Sequence, residues 1–460
     1  MWTTNAAAVA ACDRVGAAIW CGYVDDLLAR IGRHVARPES RSRLGTMLLA
    51  LLSREGPRNC WTLAEQAGEA RPWGMQHLLG RAVWNTDAVA GELRDFVVAH
   101  LGAADGILVV DETGDLKKGR STVGVQRQYT GTAGRIENAQ VAVYLGYATG
   151  RGHALIDREL YLPRSWTDDP DRCAAAGVPA GVGFATKPVL AQALIERALD
   201  AGVPAGWVTA DEVYGADPRL ARALEARGIG YVLAIAAHRR LPVDAASVRT
   251  AAQIAADLPR SAWQVRSAGA GAHGPRRYAW AWIELHPRTA AAAAAQRRPA
   301  DREPQPPGSW SLLVRRNLTT GELAFYRCYT PTPTTLAQLI AVAGRRWTIE
   351  ESFQAGKGLT GLDEHQVRRW TPWRRWTLLA MLAHALLAVI TAAERAHHPA
   401  DAGLIDLTCA EVRRLLTAAL ATLPVAIDAL AHAVDWSRWR RDHQHRAQTC
   451  HYARYGMRLS

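Results

Sequence analysis

The stretch Ile107-Leu108-Val109-Val110-Asp111-Glu112-Thr113-Gly114 is an apolar run that ends in carboxylates and a glycine-containing turn. The same arrangement returns at Gly206-Trp207-Val208-Thr209-Ala210-Asp211-Glu212-Val213-Tyr214-Gly215. Short apolar runs bounded by turn residues are typical of buried strands. We therefore expect Asp111 and Asp211 to lie at strand ends, where a carboxylate is well placed to hold a metal ion.

A third carboxylate lies in Arg346-Trp347-Thr348-Ile349-Glu350-Glu351-Ser352-Phe353-Gln354-Ala355-Gly356-Lys357, which is predicted to be one helix. At roughly 100° per residue, Arg346, Glu350 and Lys357 share one stripe, whereas Glu351 points elsewhere. Each motif alone has an ordinary alternative, because an aspartate after a strand is commonly a helix cap and an i,i+4 pair can form a surface salt bridge. The three motifs in series favour a metal-binding carboxylate site.

This ordered set resembles the DDE triad of bacterial insertion-sequence transposases of the YREK-signature group. Their third motif reads tyrosine, two residues, arginine, three residues, glutamate, six residues and lysine, and the spacing from Arg346 through Glu350 to Lys357 fits it. The family tyrosine would fall at Ala343, where this chain departs from the pattern. Residues 125–134, 159–163 and 186–188 are similar to stretches of the same group, and the resemblance runs from about residue 10 to residue 384.

The resemblance implies a ribonuclease H-like fold of class α+β or α/β: a mixed sheet with flanking helices, an inserted β-domain, and helical N- and C-terminal regions. Strand-like runs at 106–111, 123–130, 138–149 and 153–161, a helix at 188–201 and a strand into Asp211 follow that order. The predicted regions are a helical DNA-binding region (1–100), the first part of the catalytic domain (101–236), a β-rich insertion (237–332), the last catalytic part with the glutamate helix (333–395) and a basic helical region (396–460).

Asp111, Asp211 and Glu350 are accordingly expected to be the catalytic residues and the metal ligands. Hard oxygen donors without His or Cys favour Mg²⁺ or Mn²⁺ over zinc, and two ions suit phosphodiester chemistry. Asp111 is expected to bridge both ions while Asp211 and Glu350 each complete one. Arg346 and Lys357 are expected to hold phosphates, and the neighbouring carboxylates are not expected to be ligands: Glu112, Glu212 and Glu351.

Composition favours a polyanionic partner, since 55 basic residues against 43 acidic ones leave a net charge of +12. Clustered arginines predict contacts with phosphates, and the tryptophans between some of them predict stacking on unpaired bases. An amphipathic face with tryptophans packed beneath it stays open as the alternative for the segment at 368–376. The predicted DNA contacts beyond the catalytic helix are Arg127, Lys187, Arg368, Arg369, Arg438, Arg440 and Arg441.

Trp282 and Trp310 lie on strand-like runs of the predicted insertion, where a family tryptophan can stack on a flipped base, although strand tryptophans are more often core. Residues 59–68 and 73–81 read as two helices across a Gly/Pro turn. They fit either a helix-turn-helix or an ordinary helical hairpin. The scattered cysteines argue against zinc fingers and against a disulfide framework.

The apolar stretch 377–393 is predicted to be a buried helix, because ~17 residues are too few to cross a ~30 Å hydrocarbon core. The first residues do not read as a signal peptide, so a cytoplasmic, nucleoid-associated protein is expected.

The expected function is a DNA transposase that binds terminal inverted repeats, cuts the element ends and joins the freed 3′-hydroxyls to a target. It is expected to act as a homodimer on DNA, without membrane or small-molecule cofactor. Two alternatives remain: a ribonuclease H-like nuclease without strand transfer, and a domesticated DNA-binding regulator without catalysis.

Overall fold

The computed structural model describes residues 17–52, 56–243, 247–271, 274–286, 307–397, 406–421 and 429–454. The chain divides into two compact units, one of residues 93–354 and one of residues 1–92 together with 355–460. This differs from the predicted series of five regions, because both ends of the chain build the helical unit. The predicted last catalytic part, 333–395, is shared between the two units, with the glutamate of its helix in the first.

The helices form where the sequence has a 3.6-residue apolar period. Their bounds are α1 Ala17–Gly32, α2 Pro38–Leu52, α3 Cys60–Gln66, α4 Trp73–Gly80, α5 Thr86–Leu101, α6 Arg164–Thr167, α7 Pro170–Ala175, α8 Lys187–Asp200, α9 Glu212–Gly215, α10 Pro218–Ala226, α11 Ala251–Ala256, α12 Leu336–Arg345, α13 Trp347–Thr360, α14 Trp370–His397, α15 Cys409–Ala421 and α16 Ala429–Arg454.

The strands are β1 Ile107–Leu116, β2 Gln126–Thr130, β3 Arg135–Ala148, β4 His153–Leu160, β5 Trp207–Ala210, β6 Gly230–Ile235, β7 Arg240–Pro242, β8 Val248–Thr250, β9 Gln264–Gly271, β10 Gly274–Leu285, β11 Ser309–Asn317 and β12 Leu323–Thr330. The strands and the helix expected between 106 and 211 are all found, with shifted ends. The largest shift concerns β1, which continues past Asp111 to Leu116.

One ten-stranded mixed sheet organises the unit of residues 93–354. Its order is β2-β3-β1-β5-β6-β12-β11-β10-β9, with β4 paired to β3. At its centre, β5 runs parallel to both of its neighbours, β1 and β6. All four residues of β5 are buried, as expected of a parallel strand covered on both faces. The predicted mixed sheet with flanking helices is confirmed.

The segment predicted as an inserted β-domain extends this same sheet. Its strands β9 to β12 lie close to the predicted runs, but β12 pairs antiparallel with β6, for example Tyr329 with Tyr231. The edge of β6 thereby gains a hydrogen-bonded neighbour, and the insertion needs no separate core. Residues 287–306 of this segment lie outside the described residues.

Helix α14 is the centre of the helical unit. Among the described residues it is the one helix long and apolar enough to cross a membrane, yet 89% of its most apolar window is buried. It packs on α2 and α4. The prediction of a buried helix at 377–393 is confirmed, but the helix belongs to the helical unit and not to the catalytic one.

Candidate active site

Asp111 and Asp211 are brought together by strand register. Val110 of β1 is paired with Ala210 of β5, and each aspartate is the next residue in its chain. Because the two strands are parallel, both carboxylates emerge at the same edge of the sheet. Strand β5 ends there, whereas β1 continues along β3 to Leu116. The end of β5 thus leaves one side of β1 open beside Asp111.

Asp211 is also a helix cap. Its Oδ1 accepts hydrogen bonds from the backbone N–H groups of Val213, at 2.9 Å, and Tyr214, at 3.5 Å, at the start of α9. The alternative interpretation, that an aspartate after a strand is a helix cap, therefore holds for Asp211. It is compatible with a site role, since capping fixes the carboxylate beside Asp111.

Burial raises the pKa of Asp111 to about 7, and the charge of Asp211 contributes to the rise. The pKa of Asp211 is also raised, first by burial and then by Glu112. Carboxylates that share a poorly solvated site disfavour each other's charged form. This cluster therefore holds negative charge that a bound cation would stabilise.

Arg346 connects the third carboxylate to this pair. Its Nη2 lies 2.8 Å from Oε1 of Glu350, and its Nη1 lies 3.6 Å from Oδ2 of Asp111. The helix expected from 346 to 357 is found with its start one residue later, because Arg346 is the C-cap of α12 and α13 begins at Trp347. The helical backbone angles of Arg346, φ −53° and ψ −35°, preserve the i,i+4 approach to Glu350.

The rotation of α13 about its own axis is set by contacts with β3 and β4. The ring of Phe353 meets that of Tyr144 at 5.4 Å, and Tyr144 is the β3 partner of Asp111. Glu351 turns instead to His153, 3.3 Å between Oε2 and Nε2, and a hydrogen bond from His153 lowers its pKa. Glu350 and Glu351 thus face different partners, as the helical period predicts.

His153 also contacts the next residue of the helix. Its Nδ1 lies 2.9 Å from Oγ of Ser352, and this hydroxyl donates to the carbonyl of Thr348. Sequence reasoning missed this contact, because His153 and Ser352 are 199 positions apart and neither stands in a recognisable motif. Lys357 lies on α13 two turns beyond Glu350.

Glu112 is held on the side of Asp211. Nζ of Lys187 lies 2.6 Å from its Oε1, and the hydroxyl of Tyr214 donates to its Oε2. Lys187, expected to contact DNA, is therefore engaged with a carboxylate at the start of α8 and is only partly exposed. No local signal pairs these residues, because the contact joins positions 75 apart.

The carboxylate oxygens of Asp111 and Asp211 suit Mg²⁺ or Mn²⁺, which prefer oxygen ligands. The raised pKa of both aspartates shows that their negative charge is poorly solvated without a cation. The aspartate pair suits a cation as it stands. Glu350, however, is bonded to Arg346. Within the described ranges, no group of three or more His, Cys, Asp or Glu side chains has an arrangement that could hold a metal.

The two candidate tryptophans differ in exposure. Trp310 is 7% exposed, its Nε1 donates to Glu225 at 3.1 Å, and its ring packs on Tyr329. Such burial leaves no ring face for a DNA base, so the expectation for Trp310 is not supported. Trp282 is 37% exposed and keeps an accessible ring.

The Trp/Arg segment follows the packed alternative. Its tryptophans are buried: Trp370, Trp373 and Trp376. Arg374 pairs with Asp87, and buried Arg375 donates to the carbonyls of Leu78 and Leu79. Stacking of these tryptophans on unpaired bases is therefore not supported. Arg368 and Arg369 are exposed.

The basic helix α16 lies against α3. Trp439 meets Trp61 at 4.8 Å, and Arg440 is bonded to Glu65. Arg438 and Arg441 are exposed on the other side of α16, and Arg127 is exposed on β2. Arg440 is thus committed to an ion pair within the helical unit, whereas Arg438 and Arg441 face solvent.

Helix α4 presents a polar outer face. The exposed side chains on or next to it are Trp73, Gln76, His77 and Arg81. The opposite face is buried through Met75, Leu78 and Leu79. This arrangement suits a groove-reading helix and equally an ordinary surface hairpin, so both interpretations of the α3–α4 pair stay open.

The sequence matches two related protein families. Residues 30–256 match the family described as DDE superfamily endonuclease, and residues 185–386 match the family described as transposase DDE domain. The probable transposase for insertion sequence element IS701 of Microchaete diplosiphon is 30% identical over 175 residues. That alignment covers 38% of this chain and 43% of the relative, so less than half of the relative's length is matched.

Two solved structures are distantly similar. The piggyBac transposase synaptic complex with hairpin DNA aligns at 9% identity and a TM-score of 0.39, over 87% of this chain and 76% of that one. The NurA nuclease from Sulfolobus solfataricus aligns at 9% identity and a TM-score of 0.23, over 55% and 77%. At these scores neither similarity bears on the function of this chain.

Proposed function

We propose that this chain, which matches a DDE superfamily endonuclease family over residues 30–256 and a transposase DDE domain over residues 185–386, is an insertion-sequence transposase. It would bind terminal inverted repeats, cut the element ends and join the 3′-hydroxyls to target DNA. One observation carries the proposal: Asp111 and Asp211 follow register partners on β1 and β5 at the point where β5 ends, and Arg346 contacts both Asp111 and Glu350.

Asp111, Asp211 and Glu350 are proposed to hold two Mg²⁺ or Mn²⁺ ions. When bound, such ions would activate the attacking water or 3′-hydroxyl and stabilise the leaving oxygen. Asp111 is the proposed bridging ligand, because it lies between Asp211 and Arg346–Glu350. Its raised pKa means that it takes up a cation most readily above about pH 7, where it is ionised.

Arg346 is proposed to supply, before cations bind, the positive charge that balances the carboxylates of the site. In the structure it neutralises Glu350 and, at longer range, Asp111. Positive charge bound by these carboxylates would release the guanidinium toward the phosphate that is cut, for which its planar donors are suited. Lys357, further along α13, would hold a neighbouring phosphate.

DNA outside the cleavage point is proposed to lie on the exposed cations and on α4. Arg368 and Arg369 precede α14, Arg438 and Arg441 line α16, and Gln76 and His77 are the proposed base-reading residues. Trp282 is the proposed stacking residue. Two chains would hold two element ends, as a homodimer on DNA, and the protein would be associated with the nucleoid.

The test is a product assay on a duplex that carries the repeat flanking the gene, with supercoiled DNA as target. Cutting at the repeat boundary and joining to the target, in Mg²⁺ or Mn²⁺ but not EDTA, is the expected result. Cutting without joining would point to a nuclease. Binding without cutting would point to a regulator, and the transposase proposal would fall in either case.

A further inference from the structure

The turn between β2 and β3 returns to the strand that carries Asp111. Oγ1 of Thr132 donates to the carbonyl of Gly114 at 2.8 Å and lies 3.4 Å from Oγ1 of Thr113. A Cβ at Gly114 would come within 2.2 Å of Thr130, so only glycine permits this approach. The hairpin tip therefore docks within a few residues of the proposed catalytic aspartate.

The outer face of this hairpin is exposed and partly apolar. Tyr129 and Ile136 are register partners on β2 and β3, with 63% and 58% of their surface exposed. Arg127, two residues before Tyr129, lies on the same face of β2 and is also exposed. An aromatic ring next to an arginine on an open sheet face is a surface that suits a partner.

Exposed cations flank the base of the hairpin. The side-chain amide of Asn138 donates to the carbonyls of Lys117 and Gly119, which fixes the loop after β1 beside β3. Lys118 and Arg120 of this loop are exposed. Two acidic side chains on the strands of this surface are partly buried: Glu137, which pairs with Arg135 at 2.9 Å, and Asp115.

We propose that this hairpin surface, formed by Lys118, Arg120, Arg127 and Tyr129, binds the DNA strand next to the phosphate that is cut. The inference rests on the proposed function and adds a contact to it. The cations would neutralise phosphates while the Tyr129 ring packs on a sugar or a base. A second copy of this chain is disfavoured, because a two-fold contact would oppose like charges.

The fold sets an upper limit on how far this contact lies from the cut. Tyr129 is three residues from Thr132, and Gly114 is three residues from Asp111. At ~3.4 Å per extended residue, with ~5 Å more for the contact of Thr132 with Gly114, the Tyr129 backbone lies within ~25 Å of Asp111. At ~3.4 Å per base step, the contact falls within about seven nucleotides of the cleaved phosphate.

The experiment replaces Tyr129 by the photoreactive p-benzoyl-phenylalanine in the full chain and irradiates it on the end-labelled repeat duplex. The matched control is Val189→p-benzoyl-phenylalanine, on α8. Val189 is 39% exposed, and Lys187 of the same helix meets Glu112. Glu112 and Asp111 are successive residues of β1 and point to opposite faces, so Val189 is expected to lie away from the hairpin surface. The expected result is a DNA crosslink within about seven nucleotides of the cut from position 129 and none there from position 189.

Three outcomes would overturn the inference: no crosslink to DNA from position 129, crosslinks scattered along the duplex, or a crosslink to a second protein chain. Cleavage by the unmodified protein is followed on the same duplex. If cleavage persists without the crosslink, only the hairpin contact fails. If cleavage is absent as well, the proposed function fails with it.

The affinity of the same duplex gives a second readout. Arg127→Ala with Lys118→Ala is expected to weaken binding and to reduce the slope of log K against log salt by about 2, because each of the two cations is proposed to neutralise one phosphate. The melting temperature should stay unchanged, since both side chains are exposed. An unchanged salt slope would contradict the proposal.

Discussion

Asp111 and Asp211 stand side by side because the residues that precede them, Val110 and Ala210, are register partners on adjacent parallel strands. The pairing is fixed by the buried apolar side chains of both strands, so it does not depend on DNA or metal. The protein therefore holds two carboxylates close together, and burial raises the pKa of both.

The first prediction concerns pH and stability. The folded-state pKa of Asp111 is about 7, above its ordinary 3.8, so its contribution to stability is fully present below about pH 4 and is lost as pH rises through 7. Without metal, Asp111→Asn should remove this loss and melt at a higher temperature than the wild type at pH 8.

Melting curves in EDTA at pH 5 and pH 8 measure the effect. The difference between variant and wild type should shrink at pH 5, where Asp111 is mostly neutral. Added Mg²⁺ at pH 8 should raise the melting temperature of the wild type more than that of the variant. A variant that melts below the wild type at pH 8 in EDTA would refute the interpretation.

The second prediction concerns His153, which acts on the site through α13. Its contacts with Ser352 and Glu351 fix the rotation of the helix and thereby the direction of Glu350. His153→Ala should lower kcat for cleavage about tenfold and leave KM for the duplex unchanged, because positioning affects the chemical step.

His153→Asn provides the control, since its amide can still reach Ser352. It should recover most of kcat at the same melting temperature as the alanine variant. Full activity of His153→Ala would show that this contact does not position Glu350. Equal damage from both variants would point to general packing.

The third prediction separates the two tryptophans. Trp310→Phe removes a donor to buried Glu225 and should reduce the free energy of unfolding by about 1–3 kcal/mol. Trp282→Ala, at a half-exposed position, should leave stability nearly unchanged but weaken cleavage. Denaturant titration and the cleavage assay distinguish them, and the reverse pattern would exclude Trp282 as the stacking residue.

The fourth prediction concerns α16. Arg438→Ala and Arg441→Ala should each weaken DNA binding across sequences and reduce the salt slope by about 1. Arg440→Ala should instead lower the melting temperature, because this side chain ties α16 to Glu65. Binding curves at several salt concentrations test this. Equal effects of all three variants on the slope would contradict the assignment.

The sequence predicts those parts of the fold that local pattern determines. The strands and the helix from β1 to β5 lie where the apolar runs predicted them, because burial imposes a period on each run. The strands of the predicted insertion are found too. Their union with the main sheet could not be predicted, since the pairing of β12 with β6 joins segments about ninety residues apart.

The site shows the same limit. The order of carboxylates predicts the aspartate pair, and the helical period predicts that Glu350 and Glu351 diverge. The boundary between α12 and α13 at Arg346 carries no clear sequence signal, and the partner of Lys187 lies 75 positions away. Trp310 is buried and Trp282 is half-exposed. This difference depends on which faces of the strands are covered, and the alternation of side chains along each strand does not reveal that.

The most direct test of the central claim compares Glu350→Gln with its neighbour Glu351→Gln in cleavage of the flanking repeat duplex with Mg²⁺. The two changes are chemically identical and one residue apart, so they separate the proposed ligand from the carboxylate that faces His153. The account predicts that Glu350→Gln lowers the cleavage rate at least about a hundredfold, while Glu351→Gln keeps most of it. Cleavage that survives in Glu350→Gln and is lost in Glu351→Gln would contradict the account.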